Sequence, residues 1–316
     1  MVREALQRIG VQTVIFNQRQ FASMAIRFEI AGGKVTGWLE NEGCGYPLEG
    51  FTGIYVRLMD DRLLPELKDE PEGSPLRKYC RALHETLARW CEVSPARVVN
   101  RTAPMASNSS KPYQAQLIRR QGFEVPETLI TNDPDLVLEF RRRHKKIIYK
   151  SVSGVRSIVQ AFEEKDLERL DHIRWCPTQF QEFVEGDNVR VHVVGRQVFA
   201  THVSSAATDY RYSAEQVGEA ANLEAMELPE DVAARCVKLS QALGLAFSGI
   251  DLKMTPDNRV FCFEVNPSPG FSYYEANTSQ PISDAVARFL ACGDEIFTRA
   301  YLFAAEHPGD FAPLGH

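Results

Sequence analysis

Hydrophobic residues in the first sixty positions come in short runs that are separated by polar and turn-forming residues. Runs of this length, rich in β-branched and aromatic side chains, predict β-strands. The predicted strands cover residues 11–17, 24–30, 34–40 and 53–58, with a turn at Gly32-Gly33. Apolar side chains then recur every three or four residues from 76 to 90, which predicts a helix with one apolar face.

The rest of the chain alternates helical and extended patterns without an internal repeat. Residues 101–110 show no hydrophobic period and are predicted to be a linker. The predicted helices are residues 111–122, a segment opened by Asn132-Asp133-Pro134, 231–243 and 282–291. The predicted strands are residues 128–131, 147–152, 155–161 and 180–184, followed by two hairpins, the first turning at Gly195-Arg196. Strands joined by hairpins predict an α+β protein rather than a Rossmann sheet.

The composition is that of a globular protein with a modest acidic excess. Of the 316 residues, 44% are hydrophobic and 25% are charged, and the net charge is −6. An acidic chain is poorly suited to coating nucleic acid, whose phosphates attract basic surfaces. No apolar run reaches the roughly 18 residues of a membrane span, and no signal peptide is visible, so we expect a cytoplasmic protein. The seven cysteines are scattered without a Cys-x-x-Cys motif, which argues against zinc and disulfide frameworks.

Residues 248–266 are predicted to form a β-hairpin whose polar side chains share one face. Pairing Met254 with Arg259 across the loop places apolar side chains opposite one another on the first face. Because side chains alternate along a strand, the second face is polar. This second face carries Asp251, Cys262, Glu264 and Asn266.

In this register Asp251 lies opposite Cys262 and diagonal to Glu264. Two carboxylates and the amide oxygen of Asn266 on one face would suit Mg²⁺, which prefers oxygen ligands. A solvent-exposed polar strand face is the alternative explanation of the same pattern.

Two further motifs contain basic residues suited to phosphate or carboxylate binding. Lys150 ends a predicted strand and precedes the small-residue turn Ser-Val-Ser-Gly154, where backbone N–H groups can approach phosphates. Arg190 and His192 share one face of a predicted strand, and an arginine can hold a phosphate or carboxylate through two hydrogen bonds. The alternatives are an ordinary hairpin turn and an edge-strand arginine, and no role is predicted for His192.

The order of these motifs resembles the ATP-grasp superfamily. A lysine strand with a glycine loop is followed by Gln-Glu-Phe-Val-Glu-Gly186, Asp-x-x-Arg-Val-x-Val-Val-Gly195, Gly-Ile-Asp-Leu252 and Glu-Val-Asn-Pro-x-Pro-Gly270. The resemblance spans residues 111–292 and is strongest to RimK-like ligases and to ligases of the microviridin (graspetide) type, which cross-link ribosomal peptides. The second likeness rests on residues 111–118 and 122–132, on Glu275 and Thr278, and on residues 281–285.

The resemblance implies an ATP-grasp fold of three subdomains, with a nucleotide held between two antiparallel sheets. Residues 1–105 would form an N-terminal subdomain that lacks the first strand usual in this group. Residues 106–177 would form the central lid subdomain, and residues 178–316 the C-terminal subdomain with the metal site.

The resemblance also implies a role in binding ATP for each motif. Phosphate contacts would come from the two lysines Lys111 and Lys150 and from a closing loop with Ser151, Ser153 and Gly154. The interdomain strand would read adenine through Gln181, Glu182, Phe183 and Val184, with Glu185 or Asp187 near the ribose. The catalytic cations would be Lys150, Arg190 and Arg211, the two arginines lying near the γ-phosphate and the reacting carboxylate. The metal ligands would be Asp251, Glu264 and Asn266, holding one or two Mg²⁺ ions, with Mn²⁺ as an alternative.

The function that the resemblance implies is ATP-dependent ligation of a carboxylate to an amine or hydroxyl group through an acyl phosphate. We expect a peptide substrate, such as a ribosomal precursor peptide; a small-molecule amino-acid ligase, a kinase and a nucleotide-binding regulator are the alternatives. Residues 267–274 depart from the peptide cross-linkers' pattern, and we expect this aromatic loop either to contact the acceptor or to pack internally. No nucleic-acid or membrane partner is expected, and a homodimer is compatible with the sequence.

Overall fold

The computed structural model describes residues 1–151, 159–205 and 221–293, and of Ser151 it describes the backbone alone. Three predicted site residues, Ser153, Gly154 and Arg211, lie outside these ranges. The described residues form three antiparallel sheets and one parallel strand pair, together with helices, which confirms the predicted α+β class. None of the described helices is long and apolar enough to cross a membrane.

An antiparallel meander and one long helix make up most of the N-terminal part. The strands are β1 (Met24–Ala31), β2 (Lys34–Asn41) and β3 (Cys44–Pro47), and a parallel pair follows, β4 (Gly53–Tyr55) with β5 (Arg97–Val99). Gly32 and Gly33 make the β1–β2 turn at positive φ, which glycine adopts without steric cost. Helix α2 (Pro75–Val93) begins after Ser74, whose hydroxyl accepts a hydrogen bond from the Arg77 backbone, and packs its apolar face against the meander.

Two N-terminal predictions are wrong. Residues 11–17 form no regular element, because no described strand pairs with them; the Ile15 carbonyl instead accepts a hydrogen bond from the Asn41 side chain at 2.9 Å. The predicted linker at 101–110 contains helix α3 (Thr102–Met105) and a 3₁₀ turn at Ala106–Ser109. Four-residue turns are too short to show a hydrophobic period, so pattern reading misses them.

The central part is a four-stranded antiparallel sheet covered by helices. Its elements are β6 (Thr128–Thr131), α5 (Pro134–His144), β7 (Ile147–Ser151), β8 (Gln160–Ala161), a 3₁₀ helix (Glu164–Trp175) and β9 (Thr178–Glu182). The strand order is β6-β9-β7-β8, so the last strand lies inside the sheet. A core that includes Val137, Phe140 and Phe180 joins the sheet to α5 and the 3₁₀ helix.

The C-terminal part is a five-stranded antiparallel sheet in the order β12-β11-β10-β13-β14. Its elements are β10 (Asp187–Val194), β11 (Gln197–Ser204), β12 (Asn222–Met226), α6 (Glu230–Ala242), β13 (Phe247–Met254), β14 (Val260–Asn266), α7 (Ser272–Thr278) and α8 (Ile282–Cys292). Helix α1 (Val2–Arg8) packs against α8, and its Val2 shares a core with Phe247 and Val286. The chain therefore starts beside its C-terminal sheet.

Two elements sit on the other side of the predicted subdomain boundaries. Helix α4 (Lys111–Arg120) falls in the predicted central subdomain, yet its Ile118 and the following Phe123 are buried in the core of the C-terminal sheet. Strand β9 falls in the predicted C-terminal subdomain, yet it pairs with β6 and β7 of the central sheet. Long-range packing and strand pairing decide both placements. The division into three subdomains stays a prediction.

Candidate functional site

The β13–β14 hairpin has a different register from the predicted one. Met254 pairs with Val260, and the loop is closed by Thr255, whose backbone N–H donates to the Arg259 carbonyl at 3.0 Å. The loop thus has three residues, and its last residue, Asn258, adopts positive φ. This is a common geometry for three-residue hairpin loops, in which the final position is left-handed.

A β-bulge then shifts the register by one residue at the end of the hairpin that carries Asp251 and Glu264. Leu252 pairs with Cys262, whereas Asp251 pairs directly with Glu264, so Phe263 is the extra residue of β14. A bulge reverses the side-chain alternation beyond it. The prediction that Cys262 shares the face of Asp251 is therefore wrong: Cys262 is buried in the core, where loss of hydration raises the pKa of its thiol well above the usual range. The prediction that Asp251 lies diagonal to Glu264 is also wrong, because the two residues pair directly.

Each of these two carboxylates contacts a basic side chain from another element. The Lys111 ammonium, at the start of α4, lies 2.7 Å from Glu264 Oε2. The Arg190 guanidinium, on β10, lies 2.7 Å from Asp251 Oδ1, and Asp251 and Arg190 are also register partners. Both carboxylates keep about one fifth of their side-chain surface exposed, at 20%. The arrangement joins two anions and two cations on a single accessible sheet face.

A buried glutamine, which the sequence reading missed, holds the strand that carries Glu264 and the third predicted ligand, Asn266. Gln114 Nε2 donates to the Val265 carbonyl at 2.8 Å, and Gln114 Oε1 accepts from the Val265 N–H at 2.9 Å. The Asn266 side-chain oxygen accepts a hydrogen bond from the Ser268 backbone at 3.0 Å. A glutamine four residues before the buried Ile118 was the available signal that this side chain faces inwards.

The Arg190 guanidinium packs over Gly249, which lies two residues before its register partner Asp251 on β13. A Cβ atom on Gly249 would collide with the Arg190 guanidinium and with Pro269, so the arginine can cross this strand position only where no side chain is present. The guanidinium carbon lies 5.7 Å from the centre of the Tyr274 ring. Beneath it, His192 is fully buried, and burial together with the Arg190 charge lowers the pKa of His192 to about 3. His192 is therefore neutral.

Two lysines contact Phe183 and Val184, the residues that follow β9. The Phe183 ring lies between the Lys146 ammonium, 3.6 Å from its centre, and the Lys253 ammonium at 5.3 Å. Lys253 also donates to the Val184 carbonyl at 3.1 Å. Burial, reinforced by the Lys146 charge, lowers the pKa of Lys253. Sequence reading assigned no role to either lysine.

The side chains of Gln181 and Glu182, the last two residues of β9, form hydrogen bonds at the start of the neighbouring strand β6. Gln181 is buried and donates to the Thr128 hydroxyl at 3.0 Å, and Glu182 accepts from the Glu127 backbone at 2.9 Å. Two of the four residues predicted to read adenine therefore use their side chains to fix the strand. The contacts of this strand with adenine stay a prediction.

The remaining predicted residues lie at the open ends of strands. Glu185 and Asp187 are exposed on either side of Gly186, where a Cβ would collide with the Met254 carbonyl. Lys150 is on β7 opposite Gln179. Their nucleotide contacts stay predictions.

The donor set fits a hard divalent cation. Asp251, Glu264 and Asn266 present carboxylate and amide oxygens on one face, which are ligands that Mg²⁺ accepts. No group of three or more histidine, cysteine, aspartate or glutamate side chains in the described parts of the chain could hold a metal ion. An ion at this face would therefore depend on these two carboxylates together with neutral or substrate oxygens.

Comparison with known proteins decides the family. A model of the RimK-like ATP-grasp domain matches residues 108–290, which is more than half of the chain. The chain belongs to the RimK-like ATP-grasp family. The predicted ATP-grasp fold and the predicted ligase class are thereby confirmed.

Relatives of this ATP-grasp ligase include both amino-acid and peptide ligases. A probable alpha-L-glutamate ligase of Xanthomonas oryzae pv. oryzae is 28% identical over 257 residues, which cover 78% of this chain and 80% of that one. The ATP-grasp ligase PsnB, solved with a minimal precursor, Mg and ADP, is 26% identical, with a TM-score of 0.72 and 92% of each chain covered. The macrocyclase MdnC of Microcystis aeruginosa MRC, bound with precursor peptide MdnA, shares the fold at 23% identity, with a TM-score of 0.74 over 92% of this chain and 94% of that one.

Proposed function

We propose that this ligase uses ATP to activate a carboxylate as an acyl phosphate and joins it to an amine or hydroxyl group of a peptide substrate. The observation that carries the proposal is the direct pairing of Asp251 with Glu264, each within 2.7 Å of a cation, Arg190 or Lys111. Carboxylates suit a divalent ion, and the cations suit phosphates. One sheet face thus offers both halves of a Mg·ATP site.

In the proposed complex, Asp251, Glu264 and Asn266 hold one or two Mg²⁺ ions, with Mn²⁺ as an alternative. The bound metal supplies positive charge against the phosphates. Lys111 and Arg190 exchange their carboxylate partners for phosphate oxygens, and Lys150 adds a cation from the central sheet. The roles of Ser153, Gly154 and Arg211, outside the described residues, stay predictions.

The proposed reaction balances in two steps. A substrate carboxylate oxygen bonds to the γ-phosphorus while the bond to ADP breaks, which yields an acyl phosphate and ADP. The amine or hydroxyl group then bonds to the carbonyl carbon, phosphate leaves, and the nucleophile loses its proton. Arg190 orients the carboxylate for in-line attack, and exclusion of water protects the acyl phosphate from hydrolysis.

A peptide substrate is supported by the relatives and by the loop after β14. PsnB, which is 26% identical to this chain, has been solved with precursor peptide PsnA2 and AMPPNP. In this chain the loop is divided: Phe271 is buried against Phe247, as the packing alternative expected, whereas Tyr273 is 51% exposed. Tyr273 packs edge-on against Tyr274, whose ring lies 5.7 Å from the Arg190 guanidinium carbon, and an exposed aromatic at this place is suited to receiving a peptide side chain.

Transfer of an amino acid such as glutamate is the second candidate. It is favoured by the relatives named probable alpha-L-glutamate ligase, of which one is 28% identical over 78% of this chain. The chemistry is the same, and the acceptor differs.

Mass spectrometry distinguishes the two candidates. Purified protein is incubated with ATP, Mg²⁺ and either candidate precursor peptides or glutamate with an acceptor, and ADP release is followed in parallel. Loss of one water from a peptide supports internal cross-linking, whereas a gain of one glutamyl residue supports the second candidate. A stable phosphorylated product without either change would contradict ligation. Repeating the reaction with Mn²⁺ in place of Mg²⁺ tests which ion supports turnover. Measuring the molar mass in solution tests whether the protein is a homodimer.

A further inference from the structure

We propose that Gln114 is a positioning residue, whose side-chain amide sets the positions of Glu264 and Asn266 for metal binding. The proposal rests on the proposed function. Its basis is the pair of hydrogen bonds, at 2.8 and 2.9 Å, between the Gln114 amide and the backbone of Val265. Val265 lies between the two predicted ligands.

Strand β14 needs such support because it is the edge strand of the described sheet. The outer backbone groups of an edge strand have no neighbouring strand to pair with. Here the N-terminal half is paired by Glu124, whose carbonyl accepts from Cys262 N–H at 2.8 Å. At Val265 the Gln114 amide takes the place of a strand, and at Pro267 the Asn100 amide donates to the carbonyl at 2.6 Å. The edge is therefore held by side chains where the ligands are.

The primary amide of Gln114 makes both bonds at Val265 with one side chain. Its oxygen accepts from an N–H while its NH₂ group donates to a C=O, which reproduces the pairing of a peptide unit. Gln114 is 2% exposed, so water has little access to replace a lost partner. Leaving a backbone group unsatisfied at this depth is unfavourable, and the strand would shift to relieve it.

The same helix also carries the cation that neutralises Glu264. Lys111 and Gln114 are both on α4, and Lys111 Nζ contacts Glu264 at 2.7 Å. Because Ile118 anchors α4 in the C-terminal core, the helix and β14 form one rigid unit. The side chain of Glu264 is thus fixed from two directions, by its own ion pair and by the backbone clamp next to it. Second-sphere partners of this kind typically change metal affinity tenfold to a hundredfold when removed.

The test uses two variants of Gln114 and a control on the same helix. Gln114→Met keeps the size and removes both hydrogen bonds, whereas Gln114→Glu keeps the shape and loses the donor when ionised. Gln116→Met changes an exposed glutamine of α4 in the same way and should behave as wild type. Calorimetry measures the affinity for ADP in the presence of a chelator and in the presence of Mg²⁺, so the metal-dependent gain is obtained without turnover.

We expect the affinity for ADP alone to stay within about twofold, while the metal-dependent gain falls about tenfold or more in both Gln114 variants. In Gln114→Glu the gain should recover as the pH is lowered, because a protonated carboxyl group donates and accepts like an amide. The Mg²⁺ concentration for half-maximal ADP release should rise in parallel, a change that partial unfolding would not produce.

An undiminished gain in folded Gln114→Met, or in folded Gln114→Glu at a pH where its carboxyl group is ionised, would overturn the proposal, as would a loss equal to that of Gln116→Met. If Gln114→Met does not fold, Gln114→Glu and its pH series decide alone. A wild-type protein without any Mg²⁺-dependent gain would overturn the proposed metal site itself, which is a separate result.

Discussion

At the scale of single residues, Glu264 is a predicted metal ligand that also contacts Lys111, a predicted phosphate-binding residue. It faces Asp251 across the hairpin, contacts Lys111 at 2.7 Å, and is one-fifth exposed, so its replacement leaves no deeply buried charge. Glu264→Gln keeps the shape and removes the negative charge. We therefore expect the fold to survive and turnover to fall at least about 100-fold, equivalent to about 2.7 kcal/mol.

The measurement is ADP release together with the melting temperature. Glu124→Gln is the matched control, since Glu124 flanks the same strand, pairs with Arg259 at 3.4 Å and is 47% exposed. Equal activity of Glu264→Gln and wild type would contradict the metal assignment.

His192 makes the free energy of unfolding depend on pH, because the histidine stays neutral in the folded protein. Burial lowers the pKa of His192 from 6.5 to about 3. Between these values the unfolded chain binds a proton that the folded one does not, so the free energy of unfolding rises with pH across this window. Removing the imidazole in His192→Gln should reduce that slope by up to about 1.4 kcal/mol per pH unit. The Arg190 charge adds to the lowering of the His192 pKa, whereas the Asp251 charge opposes it.

Urea unfolding at several pH values from about 3.5 to 6.5 provides the slope, because this range lies between the pKa of His192 in the folded protein and that of the unfolded chain. Identical slopes in His192→Gln and wild type would mean that the histidine is hydrated and titrates normally.

At the scale of elements, the bulge at Phe263 decides which side chains the hairpin presents. Cys262 pairs with Leu252 on the core face, and the bulge beyond it places Glu264 and Asn266 on the opposite face, which they share with Asp251. Burial raises the pKa of the Cys262 thiol, and the thiolate is the reactive form. We therefore expect Cys262 to react with iodoacetamide about 100-fold or more slowly than the exposed Cys176 in the folded protein.

Peptide mapping after timed labelling measures both rates, with labelling in urea as the control for intrinsic reactivity. Fast modification of Cys262 in the native protein would favour the uninterrupted register instead of the bulged one.

At the scale of the whole molecule, the proposed nucleotide site joins two sheets that have separate cores. Lys150 is on β7 of the central sheet, whereas Asp251 and Glu264 are on the C-terminal sheet. A ligand bound between them should stabilise both sheets together. Lys150→Met keeps the stem and removes the ammonium, so we expect turnover to fall at least about tenfold, or about 1.4 kcal/mol, with less thermal stabilisation by Mg·ATP.

Lys238→Met, at an exposed position of α6, is the control for loss of one surface charge. A fall in the melting temperature of unliganded Lys150→Met, with unchanged nucleotide affinity, would indicate that Lys150 acts through packing.

The order of short motifs along the chain was sufficient to predict the ATP-grasp fold and the ligase class. Asp251, Glu264 and Asn266 were selected as one polar face because alternation is a local property, and the helix at 111–122 was visible in its period. Local patterns also located most strands, since β-branched runs and glycine turns act over a few residues.

Contacts between distant residues decided the rest. The bulge at Phe263 follows from fitting β14 against β13 and Glu124, so its effect on Cys262 could not be read from alternation. Gln114 and Val265 are separated by 151 positions in sequence. The hydrogen bonds between them could not be predicted, because the role of a buried glutamine depends on a partner that lies far away in the chain. The run at 11–17 had the composition of a strand but pairs with no strand in the part of the chain that the structure describes. Propensity is set by each residue and its neighbours, whereas register and partner are set only when the whole chain has packed.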